Sequence, residues 1–225
     1  MKKKIVFIGN SIIAGYPWSK GKSFVSQVRN ALKGDVFSAD GQTVILQQPD
    51  FAKATGFEIL NKGVNGDTTA GILGRFNQDV LELQPDMVFI LTGTNDFIYR
   101  DASPEEAFAN LEFMAKLCEG ADRAPQGKID VVYMTPIPVD AGKAEFMWMA
   151  GCGISYPAVN RDIDKLSELI RNSGRPIVDL NRLYPEFVSE KGDVDLAYLD
   201  GIHPMPEGYT FIAEKVLEFM KEIKI

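Results

Sequence analysis

The chain of 225 residues holds a single histidine, His203, and an aspartate stands three positions before it in Asp200-Gly201-Ile202-His203-Pro204. A carboxylate at that spacing can accept the Nδ1 proton of the imidazole, which fixes the tautomer and leaves Nε2 free as a base. A hydroxyl for that base to activate lies far away in sequence, at Ser11 in Gly9-Asn10-Ser11-Ile12. Two further segments offer hydrogen-bond donors. Gly66, within Asn65-Gly66-Asp67-Thr68, lets the backbone expose an N–H ahead of a helix. Asn95, in Gly93-Thr94-Asn95-Asp96, can aim a side-chain amide into the same crevice. Each segment alone also reads as an ordinary cap, turn or solvated loop. Together they supply a nucleophile, N–H donors for a developing negative charge, and an Asp/His base, the set that acyl transfer requires. With one histidine and two cysteines, no metal site built on a cluster of such ligands is expected.

These segments need elements to bring them together, and the apolar pattern supplies them. Ile5–Ile8, Met87–Leu91 and Ile129–Met134 are short apolar runs of the kind buried on both faces of a parallel sheet. Phe57–Leu60 is a weaker strand candidate, and Pro176–Val178 reads as a short strand. Helical spacing marks Phe24–Leu32, Thr68–Leu83, Val159–Ile170 and the stretch opened by Pro206. Ser103-Pro104-Glu105-Glu106 has the form of a capping box with proline in the first turn. Strands alternating with helices predict an α/β fold. We expect a three-layer α/β/α sandwich with a parallel central sheet, in one domain over residues 1–225. In such sheets ligands bind at the carboxyl ends of the strands, where Ser11 and Asn95 fall.

Composition narrows the setting. Hydrophobic residues make up 45% and charged residues 24%, with a formal net charge of -7. An acidic surface repels phosphate backbones, so nucleic acid is not expected as a partner. Cys118 and Cys152 read as free thiols of a cytoplasmic protein. The apolar run after Met1-Lys2-Lys3-Lys4 is too short for a signal peptide, and no run is long enough to span a membrane. The sequence leaves the oligomeric state open. Two stretches lack a clean period: Ser38–Lys53, and Val139–Tyr156 with Phe146-Met147-Trp148-Met149 inside it. Phe146, Trp148 and Met149 are candidate substrate-binding residues; the competing expectation is that they pack into the core.

The four chemical segments resemble the blocks of the SGNH hydrolase superfamily, also called GDSL lipases or esterases. That family carries a serine block near the N-terminus, a glycine block, a G-x-N-D block and a C-terminal D-x-x-H block. The resemblance runs from Ser11 to His203 and implies a flavodoxin-like fold and a Ser11-His203-Asp200 triad. It implies an oxyanion hole from the Ser11 N–H, the Gly66 N–H and the Asn95 side chain, and ester hydrolysis through an acyl-enzyme without a cofactor. An acyltransferase using the same site, or a non-catalytic glycan- or lipid-binding module of the same fold, are the alternatives. One departure is plain: the serine block's usual aspartate is Asn10 here, which removes a charge beside the nucleophile but keeps hydrogen-bonding capacity. The G-x-S-x-G elbow of α/β-hydrolases and a G-x-G-x-x-G after the first strand are both absent.

Overall fold

A computed structural model describes residues 3–32, 56–121, 127–148 and 153–224. The irregular stretch Ser38–Lys53, and with it Met149 and Cys152, lies outside the described residues. In chain order the elements are β1 (Lys3–Gly9), α1 (Ser11–Ala14), α2 (Phe24–Leu32), β2 (Phe57–Gly63), α3 (Thr69–Asp79), β3 (Met87–Leu91), α4 (Thr94–Tyr99), α5 (Pro104–Glu119), β4 (Asp130–Met134), α6 (Ala141–Met147), α7 (Tyr156–Arg171), β5 (Ile177–Val178), α8 (Leu180–Lys191), α9 (Val194–Ala197) and α10 (Pro206–Glu222). The capping box expected at Ser103 forms in both directions, with Glu106 N–H donating to Ser103 Oγ and Ser103 N–H donating to Glu106 Oε2.

All strands are parallel, in the order β2-β1-β3-β4-β5. Alternation along each strand makes two cores. Ile5, Phe7, Met87, Phe89 and Val132 face α2, α8, α9 and α10, whereas Val6, Ile8, Val88, Ile90 and Tyr133 face α3, α5 and α7. Because every central strand is covered on both sides, its residues are apolar on both sides, the pattern that made these strands legible. The expected three-layer α/β sheet with helices on both faces is what forms.

The strand order reverses between β1 and β3. From β1 the chain crosses to β2 on one side and returns to β3 on the other, which opens a crevice at the carboxyl ends. Register places Gly9 opposite Gly63 and opposite Leu91. The segments after β1, β2 and β3 therefore emerge at one level, and they carry Ser11 at the start of α1, Gly66, and Asn95 in α4.

The structure departs from the expected Thr68–Leu83 helix at its end. Helix α3 stops at Asp79, and Leu81–Leu83 forms a separate 3₁₀ turn. Gln84 there is left-handed (φ 47°), immediately before Pro85, a residue that cannot continue a helix.

Candidate active site

Ser11 owes its place to the residue before it. The Asn10 side chain accepts a hydrogen bond from Ile12 N–H (3.1 Å) and so caps the short helix α1, of which Ser11 is the first residue. First-turn N–H groups have no partner within a helix, and Ser11 N–H has none elsewhere among the described residues. The departure at Asn10 thus keeps the function of a cap, which asparagine and aspartate perform about equally well. Asn10→Ala is expected to lower stability by about 1 kcal/mol and Asn10→Asp by much less. Urea denaturation measures both, and equal losses would show that capping is not what the position supplies.

His203 reaches this serine across the crevice. Its Nε2 lies 2.9 Å from Ser11 Oγ, and its Nδ1 lies 2.7 Å from Asp200 Oδ2. The other carboxylate oxygen, Asp200 Oδ1, accepts the backbone N–H groups of Ile202 (3.0 Å) and His203 (2.8 Å). The tight turn needs Gly201, whose φ is 86°. A Cβ there would stand 2.4 Å from Ala144 N and 2.6 Å from the Asp140 carbonyl oxygen. Burial pushes the Asp200 carboxyl up, but the hydrogen bond and charge of His203, with the two backbone donors, outweigh it and hold it below the usual carboxylate range. Asp200 is therefore an anion when the imidazole needs an acceptor. The Tyr16 ring packs against the other side of the imidazole, with centroids 4.6 Å apart.

The donors come from the next two loops. Gly66 is left-handed (φ 78°), and its N–H has no partner among the described residues. Thr68, two residues on, caps α3, its Oγ1 accepting Gly71 N–H at 3.2 Å. Asn95 lies in α4, not in a simple turn, and one Nδ2 hydrogen bonds the Asp67 carbonyl at 2.9 Å. Its neighbour Asp96 is fully buried and accepts both Thr69 N–H (3.0 Å) and Thr69 Oγ1 (2.5 Å), tying α4 to the start of α3. Burial, the largest influence on Asp96, raises its carboxyl pKa in spite of those bonds.

Ser11, Gly66, Asn95 and His203 all line one cleft of about 270 Å³. Its remaining walls are mostly apolar: Tyr16, Ile98, Tyr99, Trp148, Ile154 and Tyr156. The expectation for the Phe146–Met149 segment therefore divides. Trp148 lines the cleft, with its ring centroid 6.4 Å from that of His203. Phe146 is corrected: it is 84% exposed and not on the cleft wall, because α6 turns it outward while Ala144 faces the core. Exposure of Phe146, Met147 and Trp148 equally sets aside the core-packing expectation for these three.

Comparison with known proteins bears on this arrangement. Residues 7–211 match the GDSL-like lipase/acylhydrolase family. The chain belongs to that family. The GDSL-like chain is 28% identical over 217 residues to an arylesterase of Vibrio mimicus, covering 96% of this chain and 87% of the relative. It is 23% identical over 175 residues to an acetylxylan esterase of Geobacillus stearothermophilus, covering 75% and 73% of the two chains. Among solved structures, a lipase/acylhydrolase from Enterococcus faecalis superposes with a TM-score of 0.71 at 22% identity, covering 98% of this chain and 96% of the other. This GDSL-like protein is thus an enzyme of the class that acts on ester bonds.

Several residues of the GDSL-like cleft were not singled out from sequence: Tyr16, Ile98, Tyr99, Ile154, Tyr156 and Ile202. Tyr99 gave a signal, since it falls one helical turn after Asn95 and so shares its face. Tyr16 gave none, because its position follows from the turn after α1. Among the described residues no helix is long and apolar enough to cross a membrane.

Proposed function

We propose that this chain is a serine esterase that hydrolyses compact carboxylic esters through an acyl-enzyme. The observation that carries the reading is the continuous relay from Ser11 Oγ to His203 Nε2 (2.9 Å) and from His203 Nδ1 to Asp200 (2.7 Å). Nε2 takes the serine proton as Oγ bonds to the ester carbonyl carbon. The carbonyl oxygen becomes an oxyanion held by the N–H groups of Ser11 and Gly66 and by the second Nδ2 hydrogen of Asn95. Imidazolium then returns its proton to the leaving alkoxide, and the alcohol departs. Water, deprotonated by the same Nε2, attacks the acyl-serine; as the acyl–Oγ bond breaks, the imidazolium returns that proton to Ser11 Oγ and the acid departs. Asp200, ionised and hydrogen-bonded, orients the ring and balances its transient charge.

The aromatic and aliphatic walls around Trp148 and Tyr156 favour an apolar acyl or aryl group of short length. The relatives named arylesterase and acetylxylan esterase support an ester as the substrate. A fluorophosphonate probe should form one adduct, at Ser11, read by peptide mass spectrometry; labelling elsewhere with Ser11 clean sinks the assignment. Asn95→Ala should lower kcat by about 10²–10³ with little change in KM, because its donor matters only when the oxyanion forms. A raised KM with normal kcat would make Asn95 a substrate-binding residue instead.

A further inference from the structure

The segments that carry the three oxyanion donors meet at one cation, Arg75 of α3. Its Nη2 donates to the Gly9 carbonyl (3.2 Å), the last residue of β1 and two positions before Ser11. That carbonyl also accepts Val64 N–H (3.0 Å), from the loop that bears Gly66. Arg75 Nε donates to Asp67 Oδ2 (2.7 Å), in the residue directly after Gly66. The carbonyl of the same Asp67 holds the Asn95 amide at 2.9 Å. The third arm, Nη1, donates to Asp79 Oδ2 (2.7 Å) and anchors the guanidinium to its own helix. Lys62 also binds Asp79, at 2.9 Å.

This arrangement does more than hold elements together. The side chains of Arg75 and Asp67 are 19% and 10% exposed, so solvent screens the pair only in part. A planar fork with fixed donor directions satisfies a carbonyl and two carboxylates at set angles, which a lysine cannot do. Among the described residues the Gly66 N–H, on the loop after β2, and the Ser11 N–H, in the first turn of α1, have no partner.

We propose that Arg75 is a positioning residue for the oxyanion hole, setting the mutual geometry of the Ser11, Gly66 and Asn95 donors through Gly9 and Asp67. The inference rests on the serine-esterase reading above. Arg75 does not line the cleft, and its hydrogen bonds go to Gly9, Asp67 and Asp79 and not to His203, so it acts on how well the oxyanion is held and not on the proton relay. A shift of about 1 Å in donors that meet a charge only in the transition state lowers kcat by up to a hundredfold.

The test measures p-nitrophenyl acetate hydrolysis by the full chain and by Arg75→Ala, Arg75→Lys and Ser11→Ala, with active sites counted by fluorophosphonate labelling. Arg75→Ala should lose about tenfold to a hundredfold in kcat per labelled site, with KM changed less than about threefold. Its acidic limb of kcat/KM should lie where the parent's does, because the imidazole and its partner are untouched. Guanidinium ion at non-denaturing concentration should restore part of that kcat, where sodium chloride and urea do not. Arg75→Lys keeps the charge without the fork and should remain impaired; it also serves if the alanine variant does not fold. The proposal is overturned if kcat per labelled site stays within about twofold of the parent in the variants, or if the loss lies in KM. It is overturned equally if guanidinium gives no rescue and the activity loss tracks a lowered Tm. Normal activity in Ser11→Ala would instead bring down the functional reading itself, whatever Arg75 does.

Discussion

His203→Ala is expected to lower kcat by on the order of 10⁴–10⁶ while the fold survives. Its Nε2 is the group 2.9 Å from Ser11 Oγ, and the chain has no second histidine to take over. Without it the serine proton has nowhere to go as the new bond forms, and the leaving alkoxide has no acid to protonate it. The single imidazole also makes a chemical version of the experiment clean. One equivalent of diethyl pyrocarbonate should abolish hydrolysis, and hydroxylamine should restore it. The fold should tolerate the change, because His203 fills a cleft wall and contributes no apolar core. Near-normal esterase activity in His203→Ala would show the proposed mechanism to be wrong, whatever the family.

The sheet was readable because its chemistry is uniform. Ile5–Ile8, Met87–Leu91 and Ile129–Met134 are covered on both faces, so every position must be apolar. β2 was underestimated for the opposite reason. It is an edge strand that continues through Asn61 and Lys62 to Gly63, and its polar residues are used: Asn61 Nδ2 donates to the Ile13 carbonyl (2.7 Å), and Lys62 pairs with Asp79. Hydropathy alone cannot distinguish such a polar strand end from a loop. Helix α8 was not expected because Pro185 stands inside it and reads as a breaker. The proline is the sixth residue of the helix, past the first turn, where it removes the one hydrogen bond that would go to the Asn181 carbonyl without ending the helix. Helix α6 was masked by the composition of Val139–Tyr156. What organises it is the Asp140 cap, which accepts Lys143 N–H at 2.8 Å, and the Asp140 N–H bond to the Gly201 carbonyl at 2.8 Å.

The site was more legible than the cleft around it, for a physical reason. A proton relay needs particular functional groups at particular distances, so residue types announce it even across 192 positions of chain. A cleft wall needs only shape and apolarity, and Tyr16, Ile154 and Tyr156 look like any other apolar residues until the fold places them. The helix α6 shows both sides of this. Its tie to Gly201 hangs Trp148 beside His203, a relation that depends on a backbone hydrogen bond and leaves no trace in sequence spacing. The Arg75 cluster is a similar case, since its guanidinium joins Gly9 to Asp67 across 66 and 8 positions of chain.

Asp200→Asn is expected to be nearly as damaging as loss of the histidine, on the order of 10⁴ in kcat, and the structure says why so small a change does so much. Asp200 Oδ1 accepts two backbone N–H groups, from Ile202 and His203. In the variant those donors claim the amide oxygen, because an NH₂ group in that place would face them donor to donor. The NH₂ therefore falls where Oδ2 was, 2.7 Å from His203 Nδ1. Facing a donor, Nδ1 becomes the acceptor and the ring proton moves to Nε2. A protonated Nε2 cannot accept from Ser11 Oγ, so the base is present, well placed and in the wrong tautomer. The amide also removes the negative charge that balances imidazolium. Asp200 carries a second, pH-linked consequence. Its carboxyl is held below the usual range in the folded state, so it adds stability above its unfolded pKa, and that contribution fades as pH falls through the lower folded value. Asp200→Asn should accordingly flatten the fall in Tm on acidification. Because the chain has one histidine, ¹⁵N-histidine NMR reads this ring alone, and it should report Nδ1–H in the parent and Nε2–H in the variant. If the variant keeps Nδ1–H and still loses its activity, the tautomer argument fails and the missing charge alone must account for the loss.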